Sequence, residues 1–235
     1  MSAVRVYQIA LHPETTPEVY EAALTPDERA RRDRFYFAPD RQAYTVYRGA
    51  LRLILARALD RAPDRVALRL GPYGKPHLVD DALHFNVSHS GDIALIALSA
   101  ERPLGVDIEQ ERPLEDLFAL AKRHFSPTER GTLRGLPDAL QTPAFFRCWS
   151  RKEAFIKAIG LGLHFPLEGF DVTLDPRAPA RIVAIRDDRY RDTPWVLHHL
   201  DIAHGYSAAL VTPGPASVGL VSLTSSPPAG FTIET

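Results

Sequence analysis

"HFNVSHSGDIALI", residues 84–96, is matched without a gap by "HLDIAHGYSAALV", residues 199–211. His84 falls on His199, His89 on His204, and the apolar alternation runs through both copies. Alternation of this kind is the period of a half-buried strand, and "SGD" at 90–92 reads as a hairpin turn. Each copy also follows a long helical stretch and a glycine-containing segment. Two copies are too few to stack as a solenoid. The repeat therefore predicts two similar, pseudo-symmetric subdomains, residues 1–104 and 105–235, each a small antiparallel sheet packed with one long helix. The fold class is α+β. A crevice between two such halves is a natural binding site.

The other elements are read outward from this pair. "TPDE" at 25–28 and "SPTE" at 126–129 both place a hydroxyl N-cap before proline at N1 and glutamate at N3, the capping-box arrangement. A first long helix runs from about Asp40 to Asp60, with Val46, Ala50, Leu53 and Ile54 on its apolar face, and ends at "DRAP". Thr142 before Pro143 predicts the start of a second, carrying "FFRCWSRKEAFIKA" at 145–158. Strands are expected at "GVDIE" (105–109), from Phe170, from Trp195 and from Ser207, and the N-terminal "MSAVRVYQIA" alternates like one.

Composition narrows the class. The 235 residues are 45% hydrophobic and 24% charged with a net charge of −1, ordinary for a soluble globular protein and unlike one that holds nucleic acid or a membrane surface by bulk charge. Apolar runs such as "IALIAL" at 93–98 are far too short to span a bilayer, and the N-terminus lacks the apolar core of a signal peptide. One cysteine, Cys148, excludes an internal disulfide and a cysteine-built metal site. These features lead to the expectation of a cytoplasmic protein, monomeric because the repeat supplies its own pseudo-two-fold interface. Of 28 basic residues only Lys75, Lys122, Lys152 and Lys157 are lysine. A compact ammonium is not interchangeable with a planar guanidinium, so these positions draw notice.

Asp107 and Glu109 are two apart on a strand and share a face opposite Val106 and Ile108. Such a pair is either a solvated strand face or two hard oxygen ligands for a divalent cation such as Mg²⁺. Trp149, Glu153 and Lys157 form an i, i+4, i+8 stripe on the second long helix. Alone this is a surface ion pair beside a core tryptophan; with the strand acids, Glu153 offers a third metal carboxylate and Lys157 a phosphate contact. "GPYGKP" at 71–76 is a turn that presents Lys75, and "NVSHS" at 86–90 sets Ser88 and His89 at a strand end. Three carboxylates converge cheaply only around a cation, since like charges about 4 Å apart repel by several kcal/mol. Acids, divalent metal, lysine and histidine together point to phosphoryl chemistry on a polyanionic small molecule.

"GKP" from Gly74, "FNVSHS" from Phe85, "GVDIE" from Gly105 and "WSRKEAFIK" from Trp149 stand in the order typical of Sfp-type 4′-phosphopantetheinyl transferases, which the chain resembles from about Thr25 to Leu174. The resemblance implies the fold of that family. It also implies transfer of the 4′-phosphopantetheine arm of coenzyme A to a serine of an apo acyl or peptidyl carrier protein, releasing adenosine 3′,5′-bisphosphate. By the same resemblance Asp107, Glu109 and Glu153 would hold Mg²⁺ (or Mn²⁺) against the pyrophosphate, and Lys157 would contact the phosphates. Lys75, Ser88 and His89 would bind the nucleotide end of coenzyme A, the co-substrate, with Trp149 and Lys152 shaping the site behind them. Glu129 of "FSPTE" is the family's candidate base, and equally the N3 residue of a capping box; Glu153 or a metal-bound water is the alternative base. Arg31 matches a basic family position for the phosphates. Glu28 stands where relatives carry lysine, for which Arg41 or Arg48 would compensate.

Two other functions fit the same residues: a Mg²⁺-dependent phosphodiesterase, and a non-catalytic binding module for coenzyme A or a carrier protein. "LGLHFP" from Leu161 is the candidate carrier-docking segment, or else a connector packing its own leucines.

Overall fold

The computed structural model describes residues 2–11 and 17–223. The first half contains β1 (Ser2–Ala10), α1 (Pro17–Ala23), α2 (Pro26–Arg32), α3 (Ala38–Ala58), β2 (Leu68–Leu70), β3 (Pro76–Leu78), β4 (His84–Ser90) and β5 (Ile93–Ser99). The second contains β6 (Gly105–Gln110), α4 (Leu117–His124), α5 (Pro127–Gly135), α6 (Asp138–Ala158), β7 (Phe170–Val172), β8 (Ile182–Ile185), α7 (Asp188–Arg191), β9 (Trp195–Leu200), β10 (Tyr206–Pro213) and β11 (Ala216–Leu223). It is a mixed α+β molecule, and among the described residues no helix is long and apolar enough to cross a membrane.

The internal repeat appears in the topology. The two larger sheets have the orders β11-β1-β5-β4 and β6-β10-β9, and β2-β3 and β7-β8 form two-stranded ribbons. β1, β5 and β4 thus correspond to β6, β10 and β9, and α3 and α6 are each 21 residues long. The gap-free match itself holds only for the second strand of each hairpin. β4 and β5 are joined by a two-residue turn and pair Ser90 with Ile93. β9 ends at Leu200, five residues separate it from β10, and Leu200 pairs with Ala208. His84 therefore opens its strand opposite Ser99, His199 lies late in its own opposite Ala209, and His204 is in the turn. Histidine spacing cannot register a loop of different length. β11, which no strand-period signal marks, returns to the first sheet and runs parallel to β1.

Packing follows the two-residue period of the central strand. Ala94, Ile96 and Leu98 of β5 face a core with Tyr7, Ile9, Val46, Ala50 and Ile54. Ile93, Leu95 and Ala97 face the other way, against Val4, Val6, Val106, Ile108 and Leu210. That second cluster lies between the sheets, which explains why every residue of β5 is buried. On the far face of β10, Ala209 and Val211 pack into the α6 core with Phe145, Phe155 and Phe170. Helix, sheet, sheet and helix are thus layered, burying the apolar faces of both halves against each other.

α6 begins at Asp138, four residues before the expected Thr142, so Pro143 lies inside the helix. In its second turn, proline forfeits one backbone bond near an end where few are yet made. α3 likewise starts early, at Ala38 with Pro39 in its first turn.

Candidate active site

β4 sorts its side chains by parity. Phe85 and Val87 join the α3 core, and His89 stacks on Tyr47 of α3 with ring centroids 4.6 Å apart. Asn86, Ser88 and Ser90 point the other way, to β6, where they accept the backbone amides of Val106 (2.8 Å), Ile108 (3.4 Å) and Gln110 (3.0 Å). β6 is an edge strand with β10 on its other side, so every second amide would otherwise lack a partner. The polar residues of "NVSHS" are the missing neighbour, supplied by side chains.

This seam sets Asp107 and Glu109 beneath α6. Gly105 permits the approach: a Cβ there would stand 2.1 Å from the Ala154 carbonyl oxygen and 2.3 Å from the Ala158 nitrogen. Asp107 is 3% exposed, which removes the solvated-strand reading for it. Its Oδ1 accepts from Ser88 Oγ at 2.8 Å and from Lys157 Nζ at 2.6 Å, while its Oδ2 is buried without a partner. Glu109, half-buried, accepts from Ser90 Oγ at 3.1 Å. Lys157 also donates to Ser88 Oγ at 3.0 Å.

The three carboxylates share one field. Burial pushes the Glu153 carboxyl up to about 7; the charge of Asp107 adds to this, Lys157 opposes it and Glu109 adds further. Burial raises Asp107 against the pull of Lys157, and raises Glu109 with Asp107 adding to it. Among the described residues no three His, Cys, Asp or Glu side chains stand at metal-ligand spacing. The donor set nonetheless fits a hard divalent ion in kind and charge: three mutually repelling carboxylates, one with a buried orphan oxygen.

Glu153 and Lys157 line a cavity of about 260 Å³ together with Tyr73, Lys75, Asn86 and Leu163. It lies where the 71–76 turn and β4 of the first half meet the end of α6. Lys75 is not presented at a free turn tip: its Nζ donates to the Leu104 and Lys157 carbonyls at 2.9 and 2.6 Å, placing its charge at the C-terminal end of α6. Burial, with the charge of Lys157, lowers its pKa to about 8. Farther along the first half, Arg31 of α2 lies over Tyr44 (6.0 Å), Tyr44 meets Tyr47 edge-on (5.4 Å), and Tyr47 carries His89. Arg31 and Arg34 line a second cavity, of about 520 Å³.

Several expected members are placed elsewhere. Lys152 is fully buried and donates to the Leu167 and Phe170 carbonyls and to Glu129, so it cannot touch a ligand in the cleft. Glu129 is 2% exposed and its oxygens accept from Ser126 N, Val172 N and Lys152 Nζ; of its two readings the capping box is the one realised. Trp149 packs edge-on to His124 of α4 and parallel to Phe145. Glu28 is capping residue and ion-pair partner at once, bound to Thr25, Arg48 and Arg52. Arg48 is thereby committed, and Arg41 donates to the Phe35 and Tyr36 carbonyls, so neither stands free as a compensating phosphate contact. Leu163 is 69% exposed at the cleft, whereas Phe165 is buried in the core. Ser90 and Tyr47 join the site in the structure; the two-residue polar alternation of "NVSHS" is the sequence signal for the first.

Residues 103–211 match the model of the 4′-phosphopantetheinyl transferase superfamily, and residues 14–101 that of the 4′-phosphopantetheinyl transferase N-terminal region. The chain is 42% identical over 184 residues to 4′-phosphopantetheinyl transferase HetI of Nostoc sp., covering 76% of this chain and 77% of that one. It is 32% identical over 200 residues to 4′-phosphopantetheinyl transferase Sfp of Bacillus subtilis, covering 84% and 86%. Among solved structures it is similar to a holo-(acyl-carrier-protein) synthase from Bacillus anthracis in complex with CoA, over 47% of this chain and 93% of that one, at 22% identity and a TM-score of 0.37.

Proposed function

The chain belongs to the 4′-phosphopantetheinyl transferase superfamily, and on that premise we propose that it transfers the 4′-phosphopantetheine arm of coenzyme A to a serine of an apo acyl or peptidyl carrier protein. The observation that carries this reading is the convergence of Asp107, Glu153 and Lys157 at a cleft that the first half closes with Lys75.

The serine oxygen attacks the β-phosphorus of the coenzyme A pyrophosphate. The new P–O bond replaces the one to the leaving adenosine 3′,5′-bisphosphate, and the serine proton passes to a carboxylate. Glu153, which lines the cleft, is the acceptor we favour; both oxygens of Glu129 are already bonded. Lys157 would turn from Asp107 to a phosphate oxygen, where its charge meets negative charge as it develops. Asp107, Glu109 and Glu153 would hold a divalent cation, Mg²⁺ or Mn²⁺, which supplies neutralisation of the pyrophosphate. Lys75, His89 and Arg31 are assigned to the nucleotide end. Residues 1–104 would thus receive the nucleotide, and residues 105–235 would supply the carboxylates and the catalytic helix.

The test is to incubate the protein with coenzyme A, Mg²⁺ and a panel of apo carriers and to weigh the carriers intact. A carrier that gains one phosphopantetheine unit, and fails to in EDTA, is the expected result. Coenzyme A cleaved to phosphopantetheine and the bisphosphate with no carrier modified would mean a phosphodiesterase. Coenzyme A bound but unchanged would mean a binding module.

A further inference from the structure

The β4–β6 seam does more than close a sheet edge. Its two serines each bond one amide and one acid in a fixed relation, and Ser88 also accepts from Lys157. Ser88 Oγ accepts from the amide of Ile108 and donates to the carboxylate of Asp107. Ser90 Oγ accepts from the amide of Gln110 and donates to the carboxylate of Glu109. In both cases the hydroxyl bridges one acid of β6 and the backbone of the residue after it. Asn86 continues the row at Val106 and touches no acid.

We infer that Ser90 is a positioning residue for Glu109, holding that carboxylate beside Asp107; the inference rests on the reading of both acids as metal carboxylates. The physical need is specific to Glu109. Asp107 is buried and short, and both Ser88 and Lys157 hold its Oδ1. Glu109 is longer and half-buried, and Asp107 repels it. A glutamate left to itself there would swing toward water, since restricting its rotamers carries an entropy cost. The Ser90 hydroxyl, with its own oxygen fixed by an amide, has its single proton free for Glu109. An amide that donates into a hydroxyl also polarises it and strengthens the bond it gives. Groups behind metal-binding carboxylates commonly change metal affinity by about 10–100-fold when removed.

The test compares Ser90→Ala, Ser90→Thr and Asn86→Ala in the full chain, reading Mn²⁺ binding by electron paramagnetic resonance and stability by thermal melting. Ser90→Ala should weaken Mn²⁺ by about tenfold or more, and Ser90→Thr, which keeps the hydroxyl, should stay within about twofold of the unmodified protein. Asn86→Ala, which breaks the seam without freeing an acid, should lower the melting temperature and leave Mn²⁺ affinity alone. In a Glu109→Gln background, Ser90→Ala should have no further effect on Mn²⁺. Folded Ser90→Ala that binds Mn²⁺ as well as the unmodified protein would overturn the inference. So would a loss of affinity in Asn86→Ala equal to that in Ser90→Ala, because the seam alone would then explain it. An unmodified protein that binds no Mn²⁺ would instead overturn the metal reading on which the inference stands.

Discussion

Glu129 and Glu153 carry the same functional group, and their surroundings give them opposite work. Glu129 spends its oxygens on Ser126 N, Val172 N and the fully buried Lys152. Glu129→Ala would leave Lys152 buried without its counter-charge, and loss of one partner of such a pair costs about 3–5 kcal/mol. Chemical denaturation should show that loss, while the fraction still folded transfers at near the unmodified rate. A stable Glu129→Ala protein with transfer abolished would make Glu129 the base after all. Glu28 gives a pH signature. Burial alone would raise its carboxyl, but the bond to Arg52, the charge of Arg48 and the Thr25 amide outweigh burial and hold it below its ordinary 4.5. A depressed folded-state pKa contributes stability above the unfolded value and loses it as pH falls through the folded one. Melting temperature should therefore drop more steeply below about pH 4.5 in the unmodified protein than in Glu28→Gln, and parallel curves would contradict the assignment.

At the scale of elements, period and capping carried most of what the sequence could tell. Both capping boxes form, with the hydroxyl and glutamate bonds in place at Thr25–Glu28 and Ser126–Glu129. "GVDIE" is β6, with Val106 and Ile108 in the inter-sheet core. What escaped were relations between elements. The alternation of β6 leaves its acids open to a solvated or a ligating reading, because their cover, α6, is 45 residues distant in sequence from Gly105 to Ser150. The resemblance sets Lys152 behind the site, and its helix position next to Glu153 turns it the other way, into the core with Glu129. The carrier-docking segment is half retained. Leu163 is exposed at the cleft and Phe165 is core, so only the former can meet a partner. Leu163→Ser should raise the carrier KM by up to about tenfold, the worth of one leucine withdrawn from contact, with kcat at saturating carrier retained. Phe165→Ser should instead unfold the protein. An unchanged carrier KM in Leu163→Ser would remove this segment from the docking surface.

At the scale of the molecule, two sheets of corresponding strand order each pack a 21-residue helix. Each half supplies a three-strand arrangement and a 21-residue helix, and β11 crosses back to tie the C-terminal end to β1. The halves have diverged in chemistry. α6 carries Glu153 and Lys157 at the cleft, whereas α3 carries Tyr47 under His89 and the arginines that neutralise Glu28. The cleft at their junction is lined by Glu153 and Lys157 from one half and by Lys75 from the other. The most direct test of that division is single-turnover transfer, followed by intact carrier mass, in Glu153→Gln beside Glu129→Gln. The account expects Glu153→Gln to fold normally and lose about 10²-fold or more in rate, and Glu129→Gln to lose stability while still transferring. A Glu153→Gln protein that transfers at the unmodified rate would contradict the assignment of α6 as half of the reaction centre.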